Sequence, residues 1–214
     1  MGRSGQLGTS VPGSAAGAVG HQSVERRRIL DAMVNTVTER GYPATDIAEV
    51  IERAGVSRSV FSRLFASKEE CFVETINDSV RNLVRAVEAA VPQDATWPER
   101  IRIGLRAFVA ALVTDPARTR LAMVEAGLVS PAAALEVRRA YQRFVPYFDE
   151  GRRHVAYDLP EPTSDAVVGG IALTVQHQVA GGDVVELWDV LPDLTYFALV
   201  PYLGPRRASA LALA

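Results

Sequence analysis

The chain is poor in the residues that surface chemistry most often uses. It has one cysteine and three histidines, and Lys68 is its single lysine among 23 Lys+Arg. One cysteine excludes an intrachain disulfide, which fits a reducing cytoplasm; Cys71, set among apolar helical residues, reads as packing rather than a redox switch. His21, His154 and His177 are too widely separated to read as a metal site, so neither a metal nor a cofactor is expected. There is no P-loop, no G-x-G-x-x-G opening a helix, no G-x-S-x-G and no H-E-x-x-H, and Asp149 and Glu150 project in different directions from a helix. An enzyme is therefore not expected. No apolar run approaches a bilayer span and the N-terminus lacks the basic-then-apolar order of a secretion signal, so the expected location is cytoplasmic, with no membrane partner.

What the chain does have is apolar residues at helical spacing. With 214 residues, 48% of them hydrophobic, it can bury a sizeable core in one large or two small domains. Residues 1–22 are rich in Gly, Ser and Ala without an apolar period and are expected to be an unstructured tail. Ile29, Met33 and Val37 at i, i+4 and i+8 predict a first helix from about Ser23 to Arg40, ended by Gly41. Phe72, Ile76, Val80, Leu83 and Val87 describe a long amphipathic helix running to near Pro92. Further helical patterns cover Trp97 to Thr114, Pro116 to Gly127, Pro131 to Arg153, Glu161 to Ala180 and Asp183 to Leu203. With no strand pattern and no internal repeat, the expected fold is all-α.

The most informative stretch runs from Thr45 to Glu70. Asp46 is placed to cap a helix with Glu49 three residues on, and Ile47, Val50 and Ile51 follow at helical spacing. That helix is predicted to stop near Ala54. Gly55 supplies the freedom for a sharp turn, Val56 plugs the space between helices, and Ser57 caps a second helix from about Arg58 to Leu64. Phe61, Leu64 and Phe65 form one apolar stripe on it, which leaves Arg58, Ser59, Ser62 and Arg63 outside. Two arginines and two small hydroxyls on a short exposed face suit a major groove, with Val60 set to meet a thymine methyl.

Three blocks here, G-Y-x-x-T (Gly41, Tyr42, Thr45), A-G-V-S (Ala54 to Ser57) and F-x-S-K-E (Phe65, Ser67, Lys68, Glu69), resemble the tetracycline-repressor (TetR) family in order and spacing. The likeness is specific over about Val24 to Phe72; beyond it only length, helical pattern and a P-x-L…P-Y-L-G segment (Pro192 to Gly204) are similar. The resemblance implies a three-helix helix-turn-helix head over residues 23–69 and a helical ligand-binding and dimerisation domain over residues 70–214. It implies operator contacts at Thr45 and Ser57 beside the reading-helix residues, and a phosphate contact from Lys68, where a helix N-terminus favours the same anion. Two positions depart from the family pattern. Asp46 stands where threonine is usual and Ser62 where tyrosine is usual, and each change removes a familiar DNA contact.

Charge divides the chain in the same place. Ser23 to Lys68 carries eight basic and six acidic residues, whereas Glu69 to Ala214 carries fourteen basic and nineteen acidic ones. A weakly basic head on an acidic body fits one DNA-binding face and one domain with another partner. Phe108, Met123, Tyr141, Phe144 and Phe148, with Glu125, Gln176 and His177 as polar members, are the candidate lining of a small-molecule site between the middle helices, where the resemblance implies an inducer. For any single aromatic, core packing is the commoner role. Val168, Ile171, Val175, Leu194 and Phe197 on the last two helices are the candidate dimer contacts, since the corresponding pair forms a four-helix interface in the resembled family. The other reading is that these faces are the chain's own core, and the two are compatible on different sides.

The expectation is a homodimeric, ligand-responsive regulator, a repressor that binds near-palindromic double-stranded operator DNA and is released by a small-molecule effector. The alternative is a helical small-molecule-binding protein or enzyme whose head no longer binds DNA, with Asp46 and Ser62 as its best support.

Overall fold

The computed structural model describes residues 13–213, with side chains from residue 22 onward. Its N-terminal part consists of α1 (Gly13–Arg40), α2 (Ile47–Ala54), α3 (Arg58–Leu64) and the long α4 (Lys68–Ala90). The body follows with α5 (Trp97–Thr114), α6 (Pro116–Arg120), α7 (Ala126–Val129), α8 (Pro131–Gln142), α9 (Val145–Asp149), α10 (Thr163–Gly181) and α11 (Leu187–Ala212). A π-helical turn, Leu121–Glu125, joins α6 to α7, and 3-10 turns cover Glu150–His154 and Val184–Glu186. No strand occurs among the described residues.

Local chemistry sets the helix ends in the head. The Asp46 carboxylate accepts from Ala48 N–H at 3.0 Å, and Ser57 Oγ accepts from Val60 N–H at 3.3 Å. Between them the chain reverses at Gly55, whose φ of 61° lies in the left-handed region. Gly55 N–H donates to Glu52 O at 3.0 Å and Val56 N–H to Ile51 O at 3.3 Å, the paired closure that satisfies the last carbonyls of a helix. Ser67 repeats the capping device on α4, accepting from Glu70 N–H at 3.0 Å.

Four elements depart from the expected bounds, one being the helix expected from Pro116 to Gly127, which the π turn interrupts and which runs on to Val129. The expected tail over residues 1–22 lies outside the described residues for positions 1–12, but from Gly13 the backbone is already helical, so α1 does not wait for Ser23. Apolar period reports burial, whereas Ala15, Ala16 and Ala18 favour helix without it. The single helix expected from Pro131 to Arg153 breaks after Gln142, four residues before Pro146, whose ring clashes with the carbonyl at that distance. At the C-terminus α11 runs past Leu203 to Ala212, with Gly204 at φ 73° interrupting it and Pro205 following.

Two apolar cores form, and α6 with its π turn is wedged where they meet. Ile29, Met33, Val37, Val50, Phe61, Phe65, Phe72 and Ile76 make the first, and α5, α10 and α11 supply most of the second. The π turn contributes to both: Leu121 and Ala122 are buried in the first, and Met123 in the second. Just before it, Arg118 donates to Asp31 of α1, sits 3.5 Å from Asp78 of α4 and 3.1 Å from Asp115, with its side chain only 15% exposed. Polar groups therefore tie the same three helices that the apolar wedge packs together.

Gly55→Ala is expected to destabilise the head by about 1–2 kcal/mol, because a Cβ is disfavoured at left-handed φ and would stand 2.5 Å from Arg28 Nη2. Urea unfolding measures this, and an unchanged midpoint would mean the turn is not left-handed in solution.

Candidate nucleic-acid interface and body cavity

The outward face of α3 is built by what its inward face buries. Phe61 and Phe65 are 3% and 2% exposed, with ring centroids 5.5 Å apart, and they fix the rotation of this short helix. Arg58, Ser59, Ser62 and Arg63 consequently stand exposed on one side, with Val60 half-buried. Arg58 makes no side-chain hydrogen bond or ion pair with the described residues. Ser57 and Ser59 share a hydroxyl contact of 2.8 Å beside the helix start, and Arg63 is held 3.0 Å from Glu25 of α1. Of the two arginines, Arg58 is the one presented without a partner among the described residues.

Thr45 and Lys68 take a different place from the one expected. Thr45 is 3% exposed and its hydroxyl donates to Gly41 O at 2.9 Å, closing the α1–α2 turn rather than facing outward. Lys68 is half-buried, donates through Nζ to Tyr42 O at 3.1 Å and Thr45 O at 2.9 Å, and lies 4.4 Å above the Tyr42 ring. The first and third sequence blocks thus meet in space, with the lysine of one holding the backbone of the other. Its ammonium has three donors, of which two are spent on carbonyls. Neither this role nor the buried threonine is visible from spacing, because the carbonyls concerned lie more than twenty residues upstream of Lys68.

In the body a cavity of about 260 Å³ opens between the end of α4, α5, the α8–α9 corner and α10. Phe108, Tyr141, Phe144 and Phe148 line it, as expected, together with Trp97, Ile101 and Leu105 of the α5 inner face. Its wall is almost wholly apolar. Its polar members include Glu88 and Gln93, Arg100, ion-paired with Glu150, and Tyr141, whose hydroxyl donates to Met123 Sδ at 3.3 Å. Burial pushes the Tyr141 phenol up to about 12, so it remains a neutral donor across the physiological range. Arg100 Nε is buried without a hydrogen-bond partner among the described residues.

A second cavity, about 480 Å³, shares Phe108, Tyr141 and Phe144 with the first and extends to Met123, Ser79, Asp31 and Arg118. Those three aromatics are a partition, and the far chamber ends at the polar tie between head and body. Glu125, Gln176 and His177 line neither cavity: Glu125 is half-buried at the end of the π turn, and the two α10 residues are exposed. Trp97, Arg100 and Glu150 were not among the expected lining residues. The i, i+4, i+8 series Trp97, Ile101, Leu105 marked an inner face, but nothing in the sequence pairs Arg100 with a residue fifty positions away.

The candidate dimer residues divide. Val168, Ile171, Val175 and Leu194 are 6%, 7%, 0% and 2% exposed within this one chain, and they form part of its own core. Phe197 is 42% exposed and lies across Gly170, where a Cβ would come within 2.7 Å of its ring. Leu173, at 54%, is the other large apolar group left outside on this pair of helices.

Comparison with known proteins follows the same division. A family model described as bacterial regulatory proteins, tetR family, matches residues 29–75. The chain is 32% identical over 117 residues to the HTH-type transcriptional activator FasR of Mycolicibacterium smegmatis, covering 54% of this chain and 53% of that one. It is 31% identical over 83 residues to the HTH-type transcriptional regulator BetI of Brucella suis, covering 39% and 42%. The chain thus spans about half the length, or less, of these curated relatives. Two solved structures share the fold over most of their length. FadR from Bacillus subtilis, in complex with stearoyl-CoA, has a TM-score of 0.63 at 15% identity over 83% of this chain and 98% of that one. A TetR family transcription regulator from Marinobacter aquaeolei has 0.61 at 14% identity over 82% and 97%.

Lys68→Ala is expected to lower head stability by about 1.5–3 kcal/mol through loss of charged hydrogen bonds, in thermal unfolding without DNA. If stability is unchanged and only the salt dependence of DNA binding falls, Lys68 acts as a phosphate contact instead.

Proposed function

We propose that the chain, whose residues 29–75 match the model of the tetR family of bacterial regulatory proteins, is a cytoplasmic transcription regulator of that kind, a dimer that binds near-palindromic operator DNA and answers to a small molecule. The observation that carries this reading is the face of α3, on which Arg58, Ser59 and Ser62 stand exposed in a head with a basic excess. Asp46, which stands in a position where a carboxylate would repel phosphate, is engaged with the backbone of α2 as its cap. Ser62 is exposed on the reading face, so its shorter reach changes which base is read rather than whether the face is presented.

One head makes few phosphate contacts, so the reading requires two. Pairing through the outer faces of α10 and α11 would cover Leu173 and Phe197, with Gly169 leaving room for close approach. Regulation is proposed to act by repression, with effector binding in the body favouring a conformation whose heads no longer match half-sites about 34–36 Å apart. The apolar cavity suits a ligand with a hydrocarbon chain, in keeping with the stearoyl-CoA of the FadR neighbour. A chain extending past Phe108, Tyr141 and Phe144 would press on the chamber that ends at Arg118.

The test is fluorescence anisotropy of the purified protein against duplexes tiled across DNA flanking its own gene, compared with random duplex at two salt concentrations. Salt-sensitive preference for one near-palindromic segment is expected; equal binding to every duplex tested would oppose specific regulation at that locus. Arg58→Ala should cost about 1–3 kcal/mol on that segment and relax base preference, and wild-type affinity in this variant would remove α3 as the reading face. In sedimentation velocity, Phe197→Asp is expected to shift the protein toward monomer, whereas an intact dimer would place the interface elsewhere.

A further inference from the structure

On the outer surface, Arg81 and Arg85 of α4 and Arg143, at the C-terminus of α8, line an open groove with Val84 and Glu88. Arg81, Val84, Arg85 and Glu88 are spaced i, i+3, i+4 and i+7, so they form one face of α4. Two of them also belong to the interior. Glu88 lies on the rim of the first cavity and Val84 on the wall of the second, so the groove adjoins both chambers.

The groove carries surplus positive charge in an otherwise acidic body. Arg81 is compensated by Glu74 at 2.8 Å and Asp78 at 3.5 Å. Arg85 instead donates to Asn82 Oδ1 at 2.5 Å and Arg81 O at 3.4 Å, with no carboxylate in ion-pair reach among the described residues. The Arg143 side chain makes no hydrogen bond or ion pair with the described residues. Glu88 is the one carboxylate lining the groove. Two guanidinium groups thus stand available beside an opening whose interior offers almost nothing polar.

We infer that this groove is the head-group subsite of the body cavity, and that it takes the phosphate-bearing head of an amphiphile whose apolar chain lies inside against Trp97, Ile101 and Phe108. The inference rests on the reading of that cavity as the effector site. The charge arrangement decides the head group. Arginine forks match phosphate oxygens bidentately, and forks on neighbouring turns of α4 and on α8 spread over more than one anionic oxygen. A simple fatty acid has no such use for the groove; its carboxylate would meet only Arg100, which Glu150 already occupies. The phosphate can come from a nucleotide thioester or from a phospholipid, since both place phosphate next to a long chain.

Trp97, in the cavity wall, reports occupancy by fluorescence once Trp188 is replaced in a Trp188→Phe background. The full-length protein is titrated with palmitoyl-coenzyme A, 1-palmitoyl-lysophosphatidate, palmitate and coenzyme A, each below its critical micelle concentration. At least one phosphate-bearing amphiphile is expected to bind about tenfold or more tightly than palmitate, with affinity falling as salt rises. In Arg85→Ala/Arg143→Ala that advantage should vanish while palmitate binding stays unchanged; Arg143→Ala alone, at an exposed residue without side-chain partners, serves if the double variant melts early. Tighter binding of the thioester identifies the nucleotide source, and tighter binding of the lysophosphatidate identifies the lipid source. Palmitate binding as tightly as both, or a phosphate advantage that survives the variants, would overturn the groove assignment and leave the cavity reading standing. No Trp97 response to any amphiphile would overturn both.

Discussion

Three carboxylates converge on one guanidinium at the joint between head and body. Asp31 comes from α1, Asp78 from α4 and Asp115 from the cap of α6, and Arg118 meets all three while largely shielded from water. A charge so placed is stabilising only if its partners stay where they are, because removing one element leaves like-charged groups facing each other in a weakly screened space. The tie therefore sets how the short helices of the head sit against the body. Apolar packing repeats the constraint through the π turn, where Leu121 and Met123, two residues apart, are buried in different cores. A π turn permits this because its extra residue per turn re-aims successive side chains.

The head and the body are organised on different principles. The head has short helices whose ends are fixed by side-chain caps and a left-handed glycine, and whose loops are held by Lys68 and Thr45. Each of those contacts is directional, so the reading face has one presentation. The body instead relies on apolar faces of α5, α10 and α11, and it leaves chambers bordered by α4, α5 and the α8–α9 corner. Packing of that kind yields to a ligand more readily than a hydrogen-bonded turn does, and one of the chambers it leaves reaches Arg118.

What could be read in the sequence follows the same division. The α2–turn–α3 unit was legible to the residue, since Asp46, Gly55 and Ser57 act within a few positions of themselves. The aromatic lining was legible as a set, because Phe108, Tyr141, Phe144 and Phe148 are large apolar side chains gathered in the middle helical segments. The rotation of α10 was not. It carries apolar residues on more than one side, so only its contacts with α11 and the α9 region determine that Val168 and Val175 turn inward while Leu173, Gln176 and His177 turn out. Lys68 shows the same limit in the head: a helix N-terminus pointed to an anion, while the carbonyls of Tyr42 and Thr45, invisible in any spacing, had already claimed the ammonium.

That lysine has a further meaning for how the molecule can be handled. As the chain's one side-chain amine, it makes lysine-directed acylation, cross-linking or dye attachment a nearly single-address event, and the address is a structural joint in the head. Acylating it would remove the charge over Tyr42 and weaken the hold on the turn before α2, so a reagent usually treated as a neutral label would here act on the geometry of the head.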